Sequence, residues 1–397
     1  MNRLTLSQVE GVKERLPRPA KAAPARILHF LSEPVRGGIE EHVLSILTAL
    51  PSYGFEPHLA ARSGLLAQMS SELDAARVRT IAVENSSLMN RASVALLRNY
   101  LVTRNIDLVH SHTFLSSMFA SPVARTAGVP AIVETFHLPE VWRKGKWFKG
   151  SFWIDRQVGR FVDQYVAVSR AAENHLVERK KVAPDRIRLI YNGRDLTRFH
   201  PPSERERAEA RRALGVEDRQ VLVTLGRLEA QKGHSFLIDA IARLAPQWPS
   251  LVALFAGTGE LEADLMLQRD RGALGQRIRF LGMVSEPERV LAAADVVVLP
   301  SLFEGLPLAA VEALACALPM VATRIDGTCE VVVHQTTGLL VPPCDPVALA
   351  SAIEVLLKDT AFAAELGKRG RAYVEDYFDV RTQIEKTVET YQKLLSR

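Results

Sequence analysis

The feature that most constrains the fold is a buried run followed at once by a turn and a helix. Residues 295–301 contain four consecutive Val and Leu side chains and are predicted to form an interior strand of a parallel sheet. The turn after them contains Gly305, where the backbone can come close to a ligand, and Pro307, which suits the first residue of a helix. A strand, a glycine turn and a helix N-terminus in this order are typical of the ligand-binding edge of an open α/β sheet.

Two carboxylates lie on either side of this turn. Glu304 is within it, and Glu312 follows eight positions later in the predicted helix, between Ala, Val and Leu residues. The side chain of Glu312 is therefore expected to be buried. An unpaired buried carboxylate is costly, which favours a binding role for Glu312 over that of a stray charge in a structural helix.

The rest of the chain alternates between predicted strands and helices. Because 397 residues exceed a typical single core, the alternation predicts two α/β domains with parallel sheets. The predicted boundaries are an extension at 1–25, an N-terminal domain at 26–198, a C-terminal domain at 199–377 and a last helix within 378–397. The predicted strands are 26–31, 56–60, 78–83, 107–110, 131–135, 163–168, 187–191, 221–226, 251–256, 278–281, 295–301 and 319–323.

Helix signals accompany these strands. Helical patterns are predicted at 42–50, 65–76, 91–104 and about 380–395, the last with apolar residues close to one face. Ser285 and Glu288 have the spacing of a capping box, and Asp345 followed by Pro346 predicts a further helix start.

Two loops have the composition of phosphate-binding sites. Gly37 and Gly38 precede the first helix, where the backbone can approach an anion, although a simple turn would use the same residues. In the second half, Gly226 ends a buried strand and is followed by Arg227 and Lys232 before an amphipathic helix. Two fixed positive charges and backbone amides can stabilise a leaving diphosphate without a metal ion. A surface loop with two solvated cations is the alternative.

Three histidines, His110, His112 and His137, lie at or just beyond the ends of predicted strands. Ligands of open α/β sheets lie outside the carboxyl ends of the strands, so His137 is placed to reach one. His110 and His112 suit either substrate contact or a hydrogen-bonded structural role. A metal site is disfavoured, since no carboxylate or cysteine completes a recognisable ligand set. The three cysteines show no close-pair metal spacing and indicate reduced thiols in a cytosolic protein.

Residues 141–153 contain three of the four tryptophans and four basic residues without an acid. Aromatic residues interleaved with Lys and Arg suit the interface of an anionic membrane, and a loop folding its aromatics onto the N-terminal domain explains the composition equally well. No apolar run reaches the roughly 18 residues of a membrane span, and the first 16 residues have no apolar signal core. A net charge of +5 without a recognition module gives no indication of nucleic-acid binding.

The segment from Phe303 to Pro307, followed by Glu312-Ala-Leu-Ala, resembles the glutamate-pair signature of the retaining, nucleotide-sugar-dependent glycosyltransferases of family 4. These are the glycogen synthase-like and polysaccharide-biosynthesis enzymes. The resemblance covers nearly everything from Arg26 onward and is strongest from Gly226 to Asp345. It implies the GT-B fold, with two Rossmann-like domains facing each other across a cleft and the last helix crossing back to the N-terminal domain.

The resemblance also implies roles for individual residues. No Asp-x-Asp triplet, the metal-binding motif of the other major glycosyltransferase fold, occurs in the chain. The residues implied to act in catalysis are Arg227, Lys232, Glu304 and His137. Those implied to bind substrate are Gly37, Gly38, Gly226, Met283, Val284, Gly305, Leu306 and Glu312.

These implications predict an enzyme that moves a sugar from a UDP- or GDP-sugar to a hydroxyl of a glycan or lipid-linked acceptor, in cell-surface polysaccharide or glycolipid biosynthesis. We expect it to be cytoplasmic, with a peripheral contact to the inner face of the cytoplasmic membrane through residues 141–153. We expect it to use no cofactor and no metal ion. Two other functions fit the same residues: a sugar-nucleotide epimerase of GT-B fold and a non-catalytic nucleotide-sugar-binding protein.

Overall fold

The structure, a computed structural model, describes residues 24–33, 36–137 and 152–396. The predicted extension at 1–25 lies almost wholly outside the described residues, and so does most of the predicted membrane-contact segment 141–153. The chain forms two compact units. The first takes its described residues from Met1–Val168, Ala172–Ile190 and Ile384–Arg397, and the second from Ser169–Ala171 and Tyr191–Gln383.

Each unit contains one parallel sheet. In chain order the strands are β1 Ala25–Phe30, β2 Phe55–Ala61, β3 Arg79–Ala82, β4 Leu108–His112, β5 Ala131–Phe136, β6 Gln164–Ala167, β7 Ile187–Leu189, β8 Gln220–Leu225, β9 Leu251–Ala256, β10 Ile278–Gly282, β11 Val296–Leu299, β12 Met320–Thr323 and β13 Leu339–Val341. Every predicted strand is present, with its ends displaced by at most two residues. The fold class predicted from the alternation is therefore confirmed.

Helices connect the strands. They are α1 Gly38–Ala49, α2 Ser63–Gln68, α3 Ser70–Ala75, α4 Arg91–Thr103, α5 Phe114–Thr126, α6 Phe152–Val158, α7 Arg170–Glu178, α8 Glu204–Leu214, α9 His234–Leu244, α10 Glu262–Arg271, α11 Pro287–Ala292, α12 Leu308–Ala315, α13 Asp326–Cys329, α14 Pro346–Lys358, α15 Thr360–Tyr377 and α16 Val380–Leu395. None of these described helices combines the length and hydropathy needed to cross a membrane.

Strand order reverses once in each sheet. The first unit has the order β3-β2-β1-β4-β5-β6-β7, and the second has β10-β9-β8-β11-β12-β13. The reversals fall between β1 and β4 and between β8 and β11. Parallel sheets of this kind bind ligands in the crevice at the carboxyl ends of the two strands where the order reverses.

The core of the second unit shows why its strands are nearly continuous runs of apolar residues. All residues of β9 and β11 are buried, because helices cover both faces of a parallel sheet. Leu237 and Ile241 of α9 and Ile353 of α14 pack in one cluster with side chains of β8, β9, β11, β12 and β13. The packed sheet and helices of the second unit hold the ends of its strands in place.

Several local predictions were wrong at helix boundaries. The Ser285–Glu288 capping box does not form, because α11 begins at Pro287 after Glu286, which provides no side-chain cap. A capping box occurs instead at α8, between Ser203 and Glu206. Pro307 was predicted to be the first residue of α12, but it is the N-cap residue, and the helix begins at Leu308.

Other boundaries also differ from the predicted ones. The predicted helix at 65–76 is two short helices that meet at Met69, and the one predicted at 42–50 begins at Gly38. The helix start at Asp345 is confirmed, since its carboxylate accepts from the amides of Val347 and Ala348.

A glycine substitution in the second unit, with one in the first unit as its control, tests the packing of α15. A β-carbon at Gly367 of α15 would lie 2.1 Å from the carbonyl oxygen of Ala317, so Gly367→Ala should cost about 1–3 kcal/mol of the free energy of unfolding. Gly64 in α2 has open space around it, and Gly64→Ala should be neutral or stabilising by about 0.5–1 kcal/mol. Urea denaturation of both variants measures the difference. An unfolding midpoint of Gly367→Ala equal to that of the parent would contradict this packing.

Candidate functional site

Three neighbouring strands of the second unit end in glycines with positive φ. Gly226 follows β8 with φ +153°, Gly257 follows β9 with φ +142°, and Gly282 ends β10 with φ +68°. A β-carbon at Gly257 would lie 2.0 Å from the carbonyl oxygen of Gly226. The carboxyl edge of the sheet is therefore lined by bare backbone, which a ligand can approach closely.

Lys232 and Glu304 meet at the point where the strand order reverses, since one follows β8 and the other follows β11. Lys232 Nζ donates to Glu304 Oε1 at 2.6 Å. The Glu304 side chain is 5% exposed, and Ser301 Oγ donates to the same oxygen at 2.8 Å. The aliphatic part of Lys232 lies against Gly226, where a β-carbon would come within 3.3 Å of its Cδ and Cε. The structure thus brings together three of the predicted site residues.

The two loops that carry this pair are joined by their backbones. Gln231 Nε2 donates to the carbonyl of Phe303 at 2.9 Å, and the Gln231 carbonyl accepts from the amide of Leu302 at 2.7 Å. Gly233, at φ +63°, approaches the carbonyl of Pro300 so closely that a β-carbon would lie 2.1 Å from it. Gln231 was not predicted as a site residue, because its bonds depend on a loop about 70 positions away.

Glu312 is buried, as its apolar surroundings predicted, but it is not unpaired. Arg194 Nε donates to Glu312 Oε1 at 2.6 Å, and both side chains are about one-eighth exposed. Arg194 is fixed by its backbone, since its amide donates to the carbonyl of Phe378 and its carbonyl accepts from the amide of Val380. Arg194 was not predicted as a site residue. A separation of 118 residues gives no local signal of this partnership.

The other predicted residues of the second unit surround these pairs. The Arg227 side chain is 63% exposed, and its Nη1 lies 2.8 Å from Glu229 Oε1 in the same loop, which makes an ion pair. Gly305 and Leu306 are buried beside Glu304, and a β-carbon on Gly327 would lie 2.3 Å from the Gly305 carbonyl oxygen. Met283 is exposed after β10, and Val284 is partly buried. Both residues follow β10, and β9 lies between β10 and β8 in the sheet.

In the first unit, Gly37 and Gly38 are exposed at the start of α1. His137 follows β5 and is 5% exposed. His110 and His112 belong to a buried chain of hydrogen bonds that also includes His29 and Tyr391. Burial lowers the pKa of His29 to about 3, and the pKa values of His110, His112 and His137 lie well below the ordinary value for the same reason. These imidazoles are neutral at pH 7. His29 and His42, which complete the group, were not predicted.

The Arg194–Glu312 pair yields a stability prediction. Arg194→Met leaves a buried carboxylate without its cation and should destabilise the protein by about 3 kcal/mol. The double variant Arg194→Met with Glu312→Met removes both charges and should recover most of that loss, because an apolar pair of similar size needs no compensation. Chemical denaturation of the two variants provides the comparison. A double variant as unstable as the single one would mean that the charge pair is not the cause.

Two family models match the chain. The model described as Glycosyltransferase Family 4 matches residues 36–198, and the one described as Glycosyl transferases group 1 matches residues 219–359. Glycogen synthase of Mycobacterium tuberculosis is 30% identical over 294 residues, which are 72% of this chain and 68% of that protein. An Escherichia coli enzyme, UDP-Gal:alpha-D-GlcNAc-diphosphoundecaprenol alpha-1,3-galactosyltransferase, is 27% identical over 375 residues, covering 92% of this chain and 96% of that one.

Solved structures agree in fold. Anabaena HepE in complex with UDP aligns with a TM-score of 0.81 and 23% identity, over 93% of this chain and 100% of that chain. Sucrose-phosphate synthase from Thermosynechococcus elongatus aligns with a TM-score of 0.80 and 24% identity, over 94% and 99%. With its two parallel α/β sheets and these relatives, the chain belongs to the family 4 glycosyltransferases and is a transferase of the GT-B fold.

Proposed function

We propose that this glycosyltransferase transfers a sugar from a UDP- or GDP-sugar to a hydroxyl of a glycan or lipid-linked acceptor, with retention at the anomeric carbon. The observation that carries the proposal is the buried Lys232–Glu304 pair at the glycine-lined edge of the second sheet. It sets a fixed cation beside a fixed acceptor of hydroxyl hydrogen bonds. A nucleotide sugar presents the matching groups, a diphosphate next to a ring of hydroxyls.

Lys232 is assigned to the diphosphate. Its stem is held against Gly226 and its ammonium group by a buried carboxylate, so little reorganisation is needed when negative charge grows on the leaving phosphate. Arg227, five residues earlier and largely exposed, supplies a second cation from the same loop. Two cations at this position neutralise the leaving nucleotide diphosphate, and the proposed reaction uses no metal ion.

Glu312 is assigned to the ribose. A carboxylate has about four lone-pair positions, so Glu312 retains acceptor capacity for a vicinal diol while Arg194 occupies one of them. The pairing with Arg194 fixes the orientation of the carboxylate before the nucleotide arrives. Met283 and Val284 are assigned to the nucleobase through their backbone groups.

Glu304 and the amides of Gly305 and Leu306 are assigned to hydroxyls of the donor sugar. Among the described residues, the second oxygen of Glu304 receives only a longer contact, 3.4 Å from Gln231 Nε2, and so has acceptor capacity for a ligand. His137 is assigned to the same sugar, and Gly37 and Gly38 to the donor phosphates or reacting sugar. We propose that the leaving phosphate accepts the proton of the attacking hydroxyl, so that attack occurs on the face from which the nucleotide departs.

The nature of the relatives supports a choice among donors and acceptors. HepE was solved with UDP, and the Escherichia coli relative uses UDP-galactose and a diphosphoundecaprenol-linked acceptor according to its name. We therefore favour UDP over GDP and a lipid-linked or glycan acceptor in polysaccharide or glycolipid biosynthesis. We propose a cytoplasmic enzyme, with peripheral contact to the membrane through residues 141–153.

A donor panel tests the function. UDP, GDP and their common sugar conjugates are added to the purified chain, and the ligand that binds should raise the melting temperature by mass action. The same donor with acceptor hydroxyls should yield free nucleoside diphosphate and an α-linked or β-linked product of unchanged anomeric configuration. Conversion of the donor without acceptor would indicate an epimerase. Binding without turnover would indicate a non-catalytic protein, and either result would overturn the proposal.

Lys232→Ala tests the assigned mechanism. Loss of this cation should lower kcat by about 100-fold or more, on the scale of a lost oxyanion donor. Lys358→Ala is the matched control, because Lys358 is an exposed lysine of the same unit that pairs with Glu354 within one helix. Its turnover should match that of the parent enzyme. Near-normal kcat in a folded Lys232→Ala variant would remove Lys232 from the mechanism.

A further inference from the structure

Five buried histidines of the first unit lie in one cluster, His29, His42, His110, His112 and His137. His29 pairs in register with His110 on the neighbouring strand, and His112 pairs with Thr135, so their side chains lie on one face of the sheet. His110 and His112 are two residues apart, as are Thr135 and His137, and therefore share that face. His42 reaches the group from α1. The cluster lies where the strand order of the first sheet reverses, at β1 and β4.

Hydrogen bonds join most of this cluster into one chain. Thr135 Oγ1 lies 2.6 Å from His110 Nε2, and His110 Nδ1 lies 2.5 Å from the Tyr391 hydroxyl. The hydroxyl lies 3.1 Å from His29 Nε2, and His29 Nδ1 lies 2.9 Å from His112 Nε2. Both ring nitrogens of His29 and His110 are therefore occupied. Their role is to hold neighbouring groups in place.

The hydrogen bonds of this chain can all donate in one direction, and that direction leaves a lone pair on Nδ1 of His112. When His110 Nε2 donates to Thr135, Tyr391 donates to His110, His29 donates to Tyr391, and His112 Nε2 donates to His29, every member is a neutral imidazole or hydroxyl. His112 Nδ1 then carries no proton. A histidine that donates one ring N–H to a fixed partner while its other nitrogen is unprotonated has the arrangement found in metal-ligating histidines.

The imidazoles of His137 and His42 lie close to His112 Nδ1. His112 Nδ1 and His137 Nε2 are 3.3 Å apart. Two nitrogens at Zn–N distances of 2.0–2.1 Å on a tetrahedral ion are separated by about 3.3 Å, so this spacing matches. The His42 ring lies 5.7 Å from that of His112 and 5.1 Å from that of His137, and one nitrogen from each of the three rings lies within 4.8 Å of the others.

We propose that His42, His112 and His137 bind one late first-row divalent metal ion, with Zn²⁺ as the probe, and that this ion inhibits sugar transfer. Three neutral imidazoles suit zinc, copper and nickel rather than magnesium or calcium, which prefer oxygen ligands. The inhibitory half rests on the proposed function, because it follows from the assignment of His137 to the donor sugar. A metal bound to His137 Nε2 removes the lone pair and fixes the ring, so His137 can no longer serve the sugar.

Direct titration tests the site independently of turnover. The full chain without a polyhistidine tag is titrated with Zn²⁺ by calorimetry and with Co²⁺ by the visible absorption of a tetrahedral ion. We expect one equivalent to bind. His42→Gln and His137→Gln should each weaken the affinity about 100-fold or more, since loss even of a partner in the outer shell of a metal site costs about 10- to 100-fold. Circular dichroism and thermal unfolding confirm that each variant is folded.

Two controls separate this site from other zinc-binding groups. His58→Gln removes a buried histidine of the same unit that bonds to Tyr100 instead, and should leave the affinity unchanged. A double Cys329→Ser, Cys344→Ser variant removes the exposed thiols and should do the same. Absence of stoichiometric binding, or unchanged affinity in both His42→Gln and His137→Gln, would overturn the site.

The inhibition is tested separately. Zn²⁺ should lower the rate of transfer by the parent enzyme, EDTA should restore it, and His42→Gln should lose this sensitivity relative to its own zinc-free rate. Tight binding by the His42 site without inhibition would keep the metal site and overturn the inhibitory half. A chain that binds zinc but transfers no sugar under any condition would overturn the proposed function and leave the metal site in place.

Discussion

The ion pair between Lys232 and Glu304 is the interaction on which the second unit's site depends. Lys232 lies in the loop after β8 and Glu304 in the loop after β11, the two neighbouring strands at which the strand order reverses. Their ion pair joins these two loops. Burying the Glu304 carboxylate without a partner would cost free energy of folding. The attraction between the two charges offsets that cost and also fixes the position of the Lys232 ammonium group. A site built this way has its charges in position before a ligand arrives. Glycines at positive φ complete it, because they let the strand ends approach where any side chain would collide.

The two units solve the problem of buried polar groups in different ways. In the second, each buried carboxylate of the site has a cation as partner, Lys232 for Glu304 and Arg194 for Glu312. In the first, histidines that burial keeps neutral hydrogen-bond to one another and to Tyr391. Charged pairs suit recognition of a diphosphate and hydroxyls. A neutral imidazole cluster offers lone pairs, which suit a soft or borderline cation.

Much of the fold could be predicted from local signals. Runs such as 295–301 and 251–256 are apolar because both faces of a parallel strand are covered, so pattern alone located β1 to β12 to within two residues. The three-residue strand β13 was not predicted. The helix α5 was missed, since it contains Pro122 and four serine or threonine residues, which weaken a helical pattern, and is held by packing against β4 and β5. The Ser285–Glu288 pattern had the correct spacing, but Pro287 determined where the helix begins.

The site residues also differ in whether a local sequence signal identifies them. Glu304, Glu312 and Lys232 were found because each lies in a short segment with its own pattern. Arg194 and His29 were not, because their partners are 118 and up to 362 residues away and only the folded chain brings them together. Tyr391 shows this most clearly, since its helix was predicted to the residue while its bonds to His29 and His110 had no sequence signal.

We propose that Lys232, Glu304 and Glu312 converge on one nucleotide sugar. A crystal structure of the protein with uridine diphosphate shows whether they do. We expect the diphosphate at Lys232 Nζ and the Arg227 guanidinium, with both ribose hydroxyls donating to the Glu312 carboxylate. A nucleotide bound at any other part of the second unit, with the Lys232–Glu304 pair unchanged and out of contact, would contradict it.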